Sequence, residues 1–145
     1  GLGDVYKRQT YTMEALTGNP VFDKMFYEKA KVSYPHIELS RNADLLVVAP
    51  ASANFLAKAS LGIADDLLST VFLTAKCKKL VCPAMNKNMY ENEITQRNLR
   101  KLKDEGVEIL QPSSGSLACG EEGIGRMKEP DDIAQVIFRI LNVSE

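Results

Sequence analysis

The sequence is short of the groups that several common chemistries need. Its only histidine is His36, so no site can be built from several histidines. Its three cysteines, Cys77, Cys82 and Cys119, are odd in number and form no CxxC pair. That spacing fits neither a disulfide framework nor a zinc site, and reduced thiols in a cytoplasmic protein are the simplest reading. No apolar run approaches the ~20 residues that span a bilayer. The polar first residues contain no apolar core of a secretory signal. An excess of charge of either sign is lacking too. The formal net charge is −1, so bulk electrostatics selects neither nucleic acid nor an anionic membrane as partner. No internal repeat and no low-complexity linker divides the chain.

What is present suffices for one core. The 145 residues are 45% hydrophobic and 26% charged, the balance of a single globular domain. Residues 44–50 form a continuous apolar run closed by Pro50, which reads as a parallel strand buried on both faces. Residues 79–83 and 107–110 are two further strand candidates. Helices are expected at about 53–61, 65–75 and 91–105. Gly62 and Gly106 stand where two of them would end. The last helix opens at Pro130, with Asp131 and Asp132 at its positive end. Ile133, Val136, Ile137, Ile140 and Leu141 then make one apolar stripe. Alternation of strand and helix predicts an α/β fold: a Rossmann-like, flavodoxin-like parallel sheet with helices on both faces. One expected part is absent. No strand and Gly-rich turn open the chain. The run from Gly1 to Gln9 resembles adapter read-through, so residues 1–9 are expected to be non-native. An upstream piece of βαβ size, on the order of 30–40 residues, is then expected to be missing.

Four segments carry the chemistry, and all are expected at strand ends or in loops. In the first, 35–39, His36 can exchange a proton or hold an anion near neutral pH. A surface or capping histidine is the plain alternative. The second, 50–55, follows the best strand. Its small residues admit a flat or anionic ligand, and Ser52 and Asn54 offer hydrogen bonds or helix caps. The third, 83–90, follows the next strand. It sets Asn86, an amide donor and acceptor, between the adaptable apolar side chains of Met85 and Met89. The fourth is 114–127, with Gly115, Gly120, Gly123 and Gly125 falling within 11 residues. It reads as a mobile lid rather than a strand, and Cys119 within it could donate a proton.

Together and in this order, His-Ile-Glu-Leu, PASAN, PAMNxxM and ACGxxGxGRM strongly resemble the homo-oligomeric, FMN-containing cysteine decarboxylases. The resemblance runs from about Met13 to Leu141. It implies that residues 10–145 are an N-terminally truncated FMN-binding decarboxylase domain. The branch resembled most acts in coenzyme A biosynthesis, decarboxylating 4′-phosphopantothenoylcysteine to 4′-phosphopantetheine. In that family the flavin oxidises the cysteinyl thiol, carbon dioxide leaves from a carbon next to C=S, and the ene-thiolate is then reduced. The resemblance gives His36 the oxidative decarboxylation step, Asn86 the substrate carboxylate and Cys119 the final proton. Ser52, Ala53, Asn54, Phe55 and Ala84 would line FMN. Met89 and Arg126 would meet substrate, Arg126 at a phosphate or as an anchor of the lid. Phe55 departs from the family, which has Thr there. A homotrimer or larger homo-oligomer with sites between subunits is implied, as is a cytoplasmic location. Two alternatives follow from the same superfamily. One is a peptidyl-cysteine decarboxylase of the lantibiotic type, which does not need Cys119. The other is a non-catalytic regulatory subunit, which typically carries the long acidic tail that this chain lacks.

Overall fold

The computed structural model describes residues 2–25, 34–116 and 122–143. In chain order its elements are α1 (Leu2–Thr17), α2 (Pro35–Asn42), β1 (Leu45–Ala51), α3 (Ala53–Leu61), α4 (Leu67–Thr74) and β2 (Lys78–Pro83). There follow α5 (Lys87–Glu91), α6 (Glu93–Asp104), β3 (Glu108–Ile109), β4 (Ser113–Ser116), β5 (Glu122–Arg126) and α7 (Pro130–Leu141). Helix α1 runs without a break through the boundary expected at residue 9.

β1, β2 and β3 form a parallel sheet in that spatial order. Leu45 pairs with Lys78 and Val48 with Val81, while Leu80 pairs with Glu108. Successive strand residues point to opposite faces, and the burial follows. On one face Val48 and Val81 meet Phe55 and Leu56 of α3, Phe72 of α4, and Leu99 and Leu102 of α6. On the other, Leu80 and Cys82 meet Ile133 and Ile140 of α7, with Leu45 and Val47 alongside. Leu80, Val81 and Cys82 are each fully buried, which is why β2 has no polar position there. Helices therefore cover both faces, as the sequence predicted. Each fully buried leucine, such as Leu56, Leu80 or Leu102, contributes about 1.5–3 kcal/mol of hydrophobic stabilisation.

Capping explains most element ends. Ser52 Oγ accepts from Phe55 N–H at 3.2 Å and starts α3. Gly62, at φ +72°, ends it in the left-handed conformation that glycine adopts freely. Asp66 and Ser69 cap α4 reciprocally, at 2.8 and 3.1 Å. Helix α7 begins at Pro130 with Asp131 and Asp132 in its first turn, as expected.

Three expectations need correction. The segment 83–90, expected at a strand end or in a loop, closes in the helix α5, while the helix expected over 91–105 stands as α6. Asn92 is extended between them, and its side chain accepts from Ile94 N–H at 2.9 Å. An asparagine that can bond the following backbone competes with helix continuation. The His36 segment is helical and forms no loop, because Pro35 takes the first helical position, where a missing N–H costs nothing. The glycine-rich segment expected as a lid without strands has paired flanks, since β4 and β5 form an antiparallel hairpin.

Candidate functional site

β1 and β2 end side by side. Ala51 pairs with Pro83, and Ala84 N–H donates to the Ala51 carbonyl at 3.0 Å. The turn 52–54 and the turn 84–86 thus leave the same carboxyl edge of adjacent parallel strands. That is where open α/β sheets bind their ligands. The Ala49–Pro50 peptide just before is cis, and the β1–β2 register shifts between Val48 and Ala51.

Asn86 caps α5, its Oδ1 accepting from Asn88 N–H at 2.8 Å. Among the described residues its Nδ2 makes no other bond, so the amide is left as a donor. Met85 packs against the core, while Met89 is 48% exposed on α5. Met85 N–H donates to the Gly125 carbonyl at 2.9 Å, which ties the hairpin to this turn. Arg126, next in β5, pairs with Glu129 at 2.6 Å in solvent, so part of its charge is answered locally. Cys119 lies outside the described residues.

The turn 52–54 opens on a cleft of about 640 Å³ between α2, β1, α3 and α4. Ser52, Asn54 and Phe55 line it, together with Leu39, Leu46, Val71, Lys58 and Asp66. The Phe55 ring is also a core element, edge-on to Phe72 at 5.2 Å. That packing gives a physical reason for a ring in place of the family's hydroxyl. Ala53, Ala84, Asn86, Met89, Arg126 and His36 are not among the cleft-lining residues. His36 stands on α2, half-buried, its ring edge-on to Tyr34 at 6.1 Å, and α2 packs on α4. The fold thus brings together the turns 52–55 and 84–86 and the hairpin, and sets His36 on a separate helix.

Lys58 and Asp66 were not singled out in the sequence. Lys58 Nζ lies 2.6 Å from Asp65 and 2.8 Å from Asp66, fastening the end of α3 to the start of α4. The Lys58 ammonium and the Ser69 backbone amide hold the Asp66 carboxyl down at about 2. The Asp66-x-x-Ser69 spacing was the available signal. Burial pushes the Cys82 thiol up, as suits an inert core cysteine. The described residues contain no group of three or more His, Cys, Asp or Glu able to hold a metal ion.

A parallel sheet with helices on both faces, and two small-residue turns at its carboxyl edge, defines a flavodoxin-like, cofactor-binding α/β protein. The Flavoprotein family model matches residues 4–142, and the chain belongs to that family. Among curated relatives, the coenzyme A biosynthesis bifunctional protein CoaBC of Haemophilus influenzae is 44% identical over 122 residues, 84% of this chain and 30% of the relative. The CoaBC protein of Bacillus subtilis is 40% identical over 86% of this chain and 31% of its own length. The chain therefore spans about 30% of the curated relatives it matches. Among solved structures, a mutant PPC decarboxylase complexed with pantothenoylaminoethenethiol has a TM-score of 0.75 and 36% identity, covering 80% of this chain and 65% of that one. The FMN-dependent cysteine decarboxylase SpaF has a TM-score of 0.73 and 31% identity over 91% of this chain and 71% of its own.

Proposed function

We propose that this chain is an FMN-dependent decarboxylase domain that converts 4′-phosphopantothenoylcysteine to 4′-phosphopantetheine in coenzyme A biosynthesis. One observation carries the reading: the Ala84–Ala51 hydrogen bond holds the PASAN and PAMN turns together at the carboxyl edge of the sheet. The names of the relatives, CoaBC and PPC decarboxylase, support it.

The residues present fit a flavin. Ala51, Ser52, Ala53 and Ala84 are small where the strands end, so a flat ring can approach the backbone. The adjoining cleft, about 640 Å³, is within the range of cofactor and ligand pockets. It combines apolar walls with the polar groups of Ser52 and Asn54. Ser52, Ala53, Asn54, Phe55 and Ala84 would hold the cofactor, Phe55 through its backbone and ring edge. Bound FMN supplies two-electron chemistry at the cysteinyl thiol.

The protein orients the substrate and moves protons. Asn86 Nδ2 donates to the substrate carboxylate, fixing the carbon that loses carbon dioxide. The His36 imidazole exchanges the proton of the oxidative decarboxylation step. The Cys119 thiol supplies the last proton. Met89 offers a flexible apolar contact, and Arg126, paired with Glu129, meets the phosphate or anchors the lid. The chain acts as a homotrimer or larger homo-oligomer in the cytoplasm. His36 then works in a site completed by a neighbouring copy. Leu61, Ile63, Leu68 and Leu73 support such an assembly, because they expose apolar surface around α3 and α4. No described helix is long and apolar enough to cross a membrane.

The similarity to SpaF favours a second reading, decarboxylation of a peptide ending in cysteine. A single-turnover assay separates the two. The native full-length protein, saturated with FMN, is mixed anaerobically with 4′-phosphopantothenoylcysteine. Transient flavin bleaching with stoichiometric carbon dioxide and 4′-phosphopantetheine is expected. No carbon dioxide from a loaded protein would transfer the assignment to the peptide substrate or to a regulatory role.

A further inference from the structure

Gly125 combines three features that a simple hairpin residue does not. First, it is the extra residue of a bulge. Ser113 pairs with Arg126 and Ser114 with Ile124, so Gly125 has no partner on β4. Second, its φ is +143°, in the region that side chains disfavour. Third, its carbonyl, freed from the ladder by the bulge, accepts the Met85 N–H at 2.9 Å. The backbones approach so closely that a Cβ at Gly125 would overlap the Met85 carbonyl oxygen and lie 3.4 Å from the Met85 carbonyl carbon. Both neighbours are main chain, so no side-chain rotation relieves the overlap. Gly125 is itself buried.

Met85 immediately precedes Asn86, whose own cap on α5 fixes the far side of the same turn. The turn is thus held at two points: by α5 through Asn86 Oδ1, and by β5 through Met85 N–H. We infer that Gly125 is a positioning residue for Asn86, setting where the Asn86 amide meets the substrate through the bulge and the Met85 hydrogen bond. This rests on the decarboxylase reading given above. A displacement of the order of 1 Å at a substrate-binding group costs about a hundredfold in rate, and a Cβ at Gly125 forces a shift of that kind.

The test compares Gly125→Ala, Asn86→Ala and the double variant in the FMN-saturated native protein. Gly125→Ala is expected to keep the flavin absorbance spectrum of the wild type and to lose about a hundredfold in kcat/KM for carbon dioxide release. Added to Asn86→Ala, it should cost little more, because both changes remove one function. Independently of activity, the Met85 amide of the unmodified protein should exchange with solvent as slowly as the amides of β2. Wild-type kinetics in Gly125→Ala would overturn the inference, as would losses that add in the double variant. Should Gly125→Ala fail to fold, exchange decides alone: slow exchange at Met85 supports the anchor, and exchange at the rate of an open loop rejects it. Failure of the wild type to release carbon dioxide would sink the decarboxylase reading instead, while leaving the exchange result intact.

Discussion

At the scale of single residues, the proposed chemistry divides into steps that variants can separate. His36→Asn is expected to abolish carbon dioxide release and leave FMN bound, because His36 stands on α2, apart from the turns 52–55 and 84–86 proposed to hold the cofactor. Parallel measurement of carbon dioxide and flavin absorbance checks this, and loss of the flavin would contradict it. Cys119→Ser should still release carbon dioxide yet form no 4′-phosphopantetheine, with flavin bleaching that does not recover. Normal product would remove Cys119 from its role. His36, Asn86 and Cys119 were singled out as candidates only through the ordered motifs they sit in. Lys58 and Asp66 were not, because an isolated lysine and an Asp-Asp pair look like solvated surface until α3 and α4 are seen to meet.

At the scale of elements, caps and packing set the expected costs. Asp66→Ala removes the N-cap of α4 and one partner of Lys58. A cap of this kind is worth about 1 kcal/mol, to be read as a lower urea midpoint with an unchanged slope. The carboxyl lies near 2 when folded against 3.8 in its ordinary state, so folding favours the ionised form. Its contribution is complete above about pH 4 and fades as pH falls toward 2. The gap in stability between wild type and Asp66→Ala should narrow over that interval, and a gap independent of pH would refute the carboxylate's part. Leu102→Ala, in the fully buried stripe of α6, should cost about 2–5 kcal/mol. The helix α5 escaped the sequence reading because its five residues are too few to show a helical period. The cap bond that Ile94 N–H donates to Asn92 sets where α6 begins.

At the scale of the whole molecule, the apolar surface of α3 and α4 bears on assembly. Leu73 is 57% exposed and Leu68 is 40% exposed on a helix that is apolar almost all round. Leu73→Glu is expected to shift the proposed homotrimer toward smaller species in sedimentation velocity. Carbon dioxide release should fall with it, because His36 would lose the neighbouring copy. Unchanged sedimentation would show that this face is not the interface.

Sequence alone determined the class of fold. Continuous apolar runs can be buried only in a sheet covered on both faces, and the amphipathic stripe of α7 can be buried only against it. Motif order determined the candidate residues, since each turn follows its strand directly. Tertiary structure decided which of them meet. The Ala84–Ala51 bond joins turns some 30 residues apart in the chain. The bulge at Gly125 joins a third segment to the second. These are close approaches of backbone to backbone, made by groups that every residue carries, so no side-chain pattern announces them.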